Sequence, residues 1–421
     1  MQQDLQTLPT EVIILAGGLG TRLKSTVPDL PKCMAPVAGR PFLFYVINYL
    51  RKQGINRFIF SLGYKHEVIT SWLEEQFSSL DYTTVIEPEP LGTGGAIQLA
   101  CKACAAANVL VVNGDTFFDA GIAAAAQQHA NTGADCTILL KQMKDFDRYG
   151  VVETGRHGNV TAFVEKKYQQ AGNINAGAYF LNVSRFLEED FDTKFSFETD
   201  YLEKFVNARK FYGYAHDGYF IDIGIPEDYF RAQEDFSLPP LQLEKVDSSW
   251  TLFIDRDGVI NYEKKEDYIR NIEEFRFYEG VPDAFRKLAA KVGKIIIVSN
   301  QRGVGRELMT LADLESIQRH MRSEIEKAGG RIDEMYFCTA VDNKDPRRKP
   351  NPGMAFEAMK KWSDISPSRS IMIGNKRSDM QFGRNAGMYT VFVATTNPEV
   401  PFPHPDIDMR FNSLPELAKA L

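Results

Sequence analysis

At 421 residues the chain is longer than most single domains, and its 44% hydrophobic residues are enough to fill two cores. A net charge of −7 without a basic stripe argues against a nucleic-acid partner, and five irregularly spaced cysteines read as reduced core thiols, not a disulfide framework. Residues 1–10 are polar with no basic region ahead of an apolar stretch, and no run approaches about 18 apolar residues, so no membrane association and a cytoplasmic protein are expected.

In chain order, β-branched runs at 12–15, 58–62, 83–86 and 109–112 read as strands, separated by helical patterns such as 42–53 and 95–106. Strands alternating with helices predict right-handed βαβ units and a mainly parallel α/β sheet. After residue 134 the pattern becomes strand-rich, at 136–140, 150–153, 160–165 and 176–181. Residues 239–249, with Pro239-Pro240 and little periodicity, read as a linker between domains 1–238 and 250–421. A second α/β sheet is predicted from strands at 251–254, 294–299, 334–338, 370–374 and 390–394. Neither an internal repeat nor a low-complexity tract is evident.

Two motifs carry phosphate chemistry, each just past a strand, where open α/β sheets bind ligands. In Ala16-Gly17-Gly18-Leu19-Gly20-Thr21-Arg22, the glycines let backbone N–H groups approach a triphosphate, while Arg22 and Lys32 add positive charge. Three glycines alone also fit an ordinary turn. The stretch from Leu15 to Pro41, with Pro31-Lys32, Ala35-Pro36-Val37 and Gly39-Arg40-Pro41, resembles the opening of the sugar-1-phosphate nucleotidyltransferases. It is not a P-loop, since no Gly-Lys-Ser/Thr follows.

That resemblance implies a Rossmann-like (GT-A-like) mixed sheet and a set of site residues. Leu15, Gly17, Gly18, Gly20 and Thr21, with Gly92, Thr93 and Gly94 of a second loop, would receive the nucleotide. Glu165, Lys166 and Asn175 would contact the sugar phosphate. Asp115 and Asp222 would hold Mg²⁺, and Arg22 and Lys32 would stabilise departing pyrophosphate. Because the sugar phosphate is already an anion, the chemistry needs positioning and charge neutralisation, not a side-chain nucleophile. Residues 63–66, 148–150 and 218–229 extend the likeness toward the heptose 1-phosphate guanylyltransferases, and guanine, hence GTP, and heptose are implied by that likeness alone.

In the second half, Asp255 and Asp257 of Asp255-Arg256-Asp257-Gly258 follow a strand. The same pattern also occurs in turns and calcium loops, but the spaced acidic ligands of a calcium loop are missing. With Ser299-Asn300-Gln301, Lys349 in Arg348-Lys349-Pro350, and Gly374 to Asp379, it resembles the haloacid dehalogenase-type phosphatases, in the subgroup of heptose 1,7-bisphosphate 7-phosphatases and histidinol phosphatases. The resemblance implies Asp255 as nucleophile, Asp257 as acid and base, Ser299 and Asn300 as phosphate donors, and Lys349 as the neutralising charge. Asp255, Asp257, Asn375 and Asp379 would hold Mg²⁺, with Asn375 standing where the subgroup has an aspartate. Cys338 lacks the companions of a zinc loop, so no zinc is expected. Only about 40 residues separate Asp257 from Ser299, too few for an inserted cap domain, so the site should be open. Arg302, Arg306 and Arg348 are candidates to grip a second phosphate, although surface arginines are commonly just solvated.

Together the resemblances imply consecutive steps: loss of the 7-phosphate of heptose 1,7-bisphosphate, then guanylyl transfer from GTP to heptose 1-phosphate. A transferase for another sugar such as mannose 1-phosphate, fused to a histidinol-phosphatase-like or inactive domain, stays open at this point. So does assembly as a homo-oligomer.

Overall fold

In the computed structural model, which describes residues 11–18, 23, 27–264 and 267–421, strand residues alternate between two cores. In β1 (Glu11–Ala16), Val12 and Ile14 pack on one face while Ile13 packs on the other. The same division separates Phe58 and Phe60 from Ile59 in β2 (Arg57–Leu62). Continuously apolar strands are what a sheet covered on both faces requires. β3 (Asp81–Ile86), β4 (Asn108–Asn113), β5 (Cys136–Phe146), β6 (Val151–Thr154), β7 (Val160–Val164), β8 (Gln169–Asn182) and β9 (Phe211–His216) complete the first sheet. Its order is β7-β6-β8-β4-β1-β2-β3, with β5 pairing β8 and β9. The strands β4, β1, β2 and β3 are parallel and β8 runs against β4, so the sheet is mixed. From β1 the chain passes first to β2 on one side and later to β4 on the other, which opens a crevice beyond their carboxyl ends.

Two departures from the sequence pattern have visible causes. The helix expected over 95–106 runs instead over Gly92–Cys101. The Glu11 carboxylate, itself buried, takes the N–H groups of Ala105 and Ala106 at 2.9 Å each and draws the alanine-rich run out of the helix. β5 and β8 are longer than expected because residues Lys141 to Phe146, mostly polar, pair with Gln169 to Ile174 as an antiparallel arm.

The chain divides into two compact units, Met1–Ser237 and Leu238–Leu421. The second sheet contains β10 (Thr251–Ile254), β11 (Lys294–Asn300), β12 (Glu334–Cys338), β13 (Ser370–Gly374), β14 (Tyr389–Val393) and β15 (Met409–Phe411). All are parallel, in the order β12-β11-β10-β13-β14-β15. Leu252, Ile254, Ile295 and Ile297 face one core, and Phe253, Ile296 and Val298 the other. Residues 239–249 do not hang free of this unit. Leu241, Leu243 and Val246 are buried in its core, each worth roughly 1.5–3 kcal/mol, and the Tyr389 hydroxyl donates to the Pro239 carbonyl at 2.9 Å. Among the described residues between β10 and β11 there is a short turn, Ile272–Glu274, and one helix, Val281–Lys291, but no inserted sheet. No helix of the described residues is long and apolar enough to cross a membrane.

Candidate active sites

In the first unit, Lys32 opens a 3₁₀ turn, and its mostly buried Nζ lies 2.6 Å from Asp115 Oδ2 and 3.0 Å from Asp222 Oδ1. Asp115 follows β4. Asp222 ends the short strand Phe220–Asp222, which pairs antiparallel with Thr116–Phe118 and so brings two carboxylates far apart in sequence together. Burial works to lower the Lys32 pKa, but Asp115 and Asp222 more than offset it and hold the ammonium above its ordinary value. Gly224 leaves the space this requires, since a Cβ there would come within 2.5 Å of Lys32 Nζ.

The glycine loop leaves β1 at Gly17 and Gly18. A Cβ on Gly18 would meet nothing within 4 Å among the described residues, whereas one on Gly17 would collide with the Glu87 carboxylate. Glu87 also accepts the Leu91 N–H at 3.0 Å, and burial raises its pKa. Sequence reasoning missed Glu87, though its place directly after β3 was the available signal. The Leu15 carbonyl accepts the Gly114 N–H at 2.9 Å, so Leu15 ties the glycine loop to the Asp115 loop. Gly20, Thr21 and Arg22 lie outside the described residues.

The second loop is braced by the chain itself. Gly92, at φ +73°, and Gly95 have no room for a Cβ because it would lie 2.5 Å from the carbonyls of Phe195 and Thr193, and one on Gly94 would strike the Phe195 ring. On the side where a Cβ would stand, these glycines admit the chain's own segment, residues 193–195. Thr93 is likewise engaged internally, donating to Glu198 Oε2 at 2.6 Å.

Glu165, Lys166 and Asn175 come together, with Asn113 and Asp222, around a cavity of about 840 Å³. Arg148, Tyr149, Thr116, Tyr179, Glu198 and Glu203 also line it, without a role assigned from sequence. Asn175 Nδ2 donates to the Tyr179 hydroxyl at 2.9 Å, a pairing that the four-residue spacing on β8 does not announce.

In the second unit, Asp255 follows β10, and its Oδ1 accepts Lys349 Nζ and the Arg256 N–H, each at 2.8 Å. Lys349 Nζ also lies 2.7 Å from Asp379 Oδ1 and donates to the Val298 carbonyl at 2.9 Å. Burial raises the Asp255 pKa, Lys349 opposes this and Asp379 adds to it. For Lys349, burial is again outweighed by the carboxylates, which hold it above its ordinary value. Asn300, expected to meet phosphate, is occupied. Its amide brackets the Lys349 backbone, donating to the carbonyl and accepting the N–H at 3.0 Å each, so it positions the lysine instead. Ser299 is buried and its hydroxyl accepts Gln301 Nε2 at 2.7 Å.

The Asp257 carboxylate is saturated. Oδ1 accepts Arg256 Nε (3.1 Å), Arg256 NH2 (3.0 Å) and Asn261 Nδ2 (3.0 Å); Oδ2 accepts Arg256 NH2 (2.9 Å) and Gln301 Nε2 (2.8 Å). Burial favours its neutral form, but Arg256, Asn261 and Gln301 hold its pKa below the usual range. Its side chain therefore does not join the metal-ligand set that the resemblance implies. The Asn375 side chain is fully buried, donates to Thr396 Oγ1 at 2.6 Å and leaves Oδ1 without a partner among the described residues. Gly258, at φ +86°, has no room for a Cβ against it. Asp255 Oδ2 is likewise without a hydrogen bond among the described residues. Two hard oxygen donors left open beside Asp379 fit Mg²⁺, which is commonly bound by one or two carboxylates plus substrate phosphate. No group of three or more His, Cys, Asp or Glu suited to a metal occurs among the described residues.

Arg348 Nε donates to Asn343 Oδ1 at 3.2 Å, and Arg302 donates to the same oxygen. Burial, then the nearby charges of Arg302 and Arg306, lower the Arg348 pKa. None of the three has a carboxylate partner among the described residues, so the cluster lacks an anion. Lys376, not singled out from sequence, pairs with Glu263 at 2.6 Å and is pushed up to about 12 despite burial.

The family described as Nucleotidyl transferase matches residues 11–237, and that described as Polynucleotide kinase 3 phosphatase matches residues 252–411. The first half is 49% identical over 225 residues to the D-glycero-alpha-D-manno-heptose 1-phosphate guanylyltransferase of Aneurinibacillus thermoaerophilus, covering 53% of this chain and 97% of that protein. The second is 36% identical over 145 residues to the D-glycero-alpha-D-manno-heptose-1,7-bisphosphate 7-phosphatase of Mycobacterium bovis, covering 34% of this chain and 75% of that protein. The crystal structure of HddC from Yersinia pseudotuberculosis matches with a TM-score of 0.50 and 41% identity, covering 54% of this chain and all of that one.

Proposed function

The chain belongs to the nucleotidyl transferase family through its first half and to the family of the heptose bisphosphate phosphatase through its second, and we propose that it performs two consecutive reactions on one sugar. The second unit removes the 7-phosphate of D-glycero-D-manno-heptose 1,7-bisphosphate. The first transfers GMP from GTP to the resulting heptose 1-phosphate and releases pyrophosphate. The observation that carries this reading is the joining, in one chain, of two phosphate sites whose relatives act on a bisphosphate and on the monophosphate that its hydrolysis yields.

In guanylyl transfer a phosphate oxygen of the sugar attacks the α-phosphorus of GTP, and the bond to pyrophosphate breaks with the electron pair leaving on pyrophosphate. Lys32, kept charged by Asp115 and Asp222, neutralises the phosphates, and Gly18 leaves backbone open to them. Lys166 and Arg148 bring cationic charge to the sugar-phosphate cavity. In the phosphatase, Asp255 attacks the 7-phosphorus as the bond to the sugar oxygen breaks with its electron pair on that oxygen, which takes a proton passed through Asp257, while Lys349 balances the charge that gathers there. Asp257, returned to the carboxylate form that Arg256 favours, then gives up one of its present hydrogen bonds to accept the proton of the water that attacks the phosphoenzyme, and the bond from phosphorus to Asp255 breaks to release phosphate. Asp115 and Asp222 in one unit, and Asp255, Asn375 and Asp379 in the other, would hold Mg²⁺, which would supply charge neutralisation for the phosphates. The Arg302, Arg306 and Arg348 cluster takes the phosphate that is not cleaved.

The test is purified protein with Mg²⁺, heptose 1,7-bisphosphate and each of the four nucleoside triphosphates, following inorganic phosphate, pyrophosphate and nucleotide sugar together. Phosphate should be released with any nucleotide, whereas pyrophosphate and nucleotide sugar should form only with GTP. Nucleotide sugar formed from mannose 1-phosphate but not heptose 1-phosphate would overturn the reading.

A further inference from the structure

Phe197–Glu203 form a π-helix begun by Ser196, whose hydroxyl accepts the Thr199 N–H at 3.2 Å, and the turn is anchored by fully buried Phe197, Tyr201 and Leu202. At 3.6 residues per turn an α-helix would set positions 198 and 203 about 140° apart. The i→i+5 bonding of a π-turn brings residues five apart onto one side, and here both Glu198 and Glu203 line the sugar-phosphate cavity. Such turns are rare and recur at functional sites.

The two carboxylates are differently employed. Glu198 is committed within the chain, its Oε2 accepting Thr93 at 2.6 Å and Ser196 at 3.1 Å. Glu203 makes no hydrogen bond or ion pair among the described residues and stands exposed at the cavity rim. On another wall Asp222 lies 3.0 Å from Lys32, the charges that a reacting anomeric phosphate has to reach. With its phosphate at that wall, a pyranose 1-phosphate has its hydroxyls and exocyclic arm left to meet the rest of the lining, Glu203 included. A carboxylate with both oxygens open accepts two hydroxyl hydrogens, which a vicinal diol supplies and a single hydroxymethyl group does not.

We propose that Glu203 accepts hydrogen bonds from the vicinal hydroxyls on the exocyclic arm of a seven-carbon sugar and so selects heptose 1-phosphate over hexose 1-phosphates. The proposal rests on reading the first site as a heptose 1-phosphate guanylyltransferase. Its test uses the full chain and the variants Glu203→Gln and Glu203→Ala, with GTP and either heptose 1-phosphate or mannose 1-phosphate, measured by pyrophosphate release. With heptose 1-phosphate, kcat/KM should fall about tenfold or more in Glu203→Ala, carried mainly by KM, the scale of one hydrogen bond to a charged group. With mannose 1-phosphate, and for the KM of GTP, the change should stay within about twofold. An equal loss with both sugars, or no loss with heptose 1-phosphate, overturns the proposal. The unfolding midpoint should be unchanged, because this carboxylate has no internal partner to lose. An unsubstituted protein that makes no GDP-heptose would instead refute the reading of the site itself.

Discussion

Lys32 Nζ stands 2.6 Å from Asp115 Oδ2, and this ion pair joins the turn after the glycine loop to the end of β4. Removing the ammonium leaves Asp115 and Asp222 facing each other without a counter-charge and removes charge from the phosphate site. Lys32→Met is therefore expected to cut nucleotidyl transfer at least about a thousandfold, roughly 4 kcal/mol in the barrier, while phosphate release changes less than about twofold. Asp255→Asn should do the reverse. Both rates are to be read on the same preparations, with circular dichroism as the check on folding. If either substitution silenced both reactions in a folded protein, two independent sites could not be maintained.

Arg302 and Arg348 share one amide oxygen, Asn343 Oδ1, and have no carboxylate partner among the described residues. A phosphate completes such a cluster bidentately, and a lysine cannot reproduce the guanidinium fork. Arg348→Met should raise KM for heptose 1,7-bisphosphate about tenfold, the scale of one lost charge-assisted hydrogen bond. Hydrolysis of a sugar monophosphate that lacks the anomeric phosphate should be unaffected. Equal loss on both substrates would place Arg348 in the support of neighbouring Lys349 instead.

Much of this arrangement was legible in the sequence. Continuous apolar runs gave both sheets, and the motifs that follow β1, β4, β10 and β13 fell at their carboxyl ends because strand order, not sequence distance, gathers them. What stayed hidden depended on tertiary partners. Glu11 ends a helix that composition alone would prolong to residue 106. One reason for glycines at 92, 94 and 95 was hidden as well, because their missing side chains make room for residues 193–195. Asn300 looked like a phosphate donor, and the Lys349 backbone claims it. The linker pattern at 239–249 concealed three apolar side chains at irregular spacing that complete a core.

His129 is buried between Thr137 and Asn108, its Nδ1 2.9 Å from one side-chain oxygen and its Nε2 3.0 Å from the other. Burial pushes its pKa down to about 4 from an ordinary 6.5, against a smaller opposing pull from Asp135. The unfolded chain thus takes up a proton below about pH 6.5 that the folded chain refuses until about pH 4, so stability falls as pH drops through that window. The contribution is about 3 kcal/mol, fully present above pH 6.5. His129→Gln should flatten this part of the stability profile relative to the parent chain, measured by urea unfolding at pH 7 and pH 5. An identical slope in both proteins would show that His129 is not the group responsible.

Asn375 tests how the phosphatase holds its metal. Its buried Oδ1 has no partner among the described residues, and Lys349 is the cation that pairs with both Asp255 and Asp379. Asn375→Asp adds a third carboxylate to the two that Lys349 pairs with. Without a divalent ion the added buried charge is uncompensated, so the variant should unfold more readily in chelator than the parent chain. With Mg²⁺ the balance reverses, because an anionic oxygen binds a hard cation more strongly than a neutral amide oxygen. The Mg²⁺ concentration for half-maximal phosphate release should therefore fall, and Mg²⁺ should raise the unfolding midpoint more in the variant than in the parent. The parent chain should still release phosphate at millimolar Mg²⁺, since Asp255, Lys349 and Asp379 are already in place. A parent that stays inactive until Asn375 is replaced by Asp would mean that the second unit has lost its chemistry while keeping its fold.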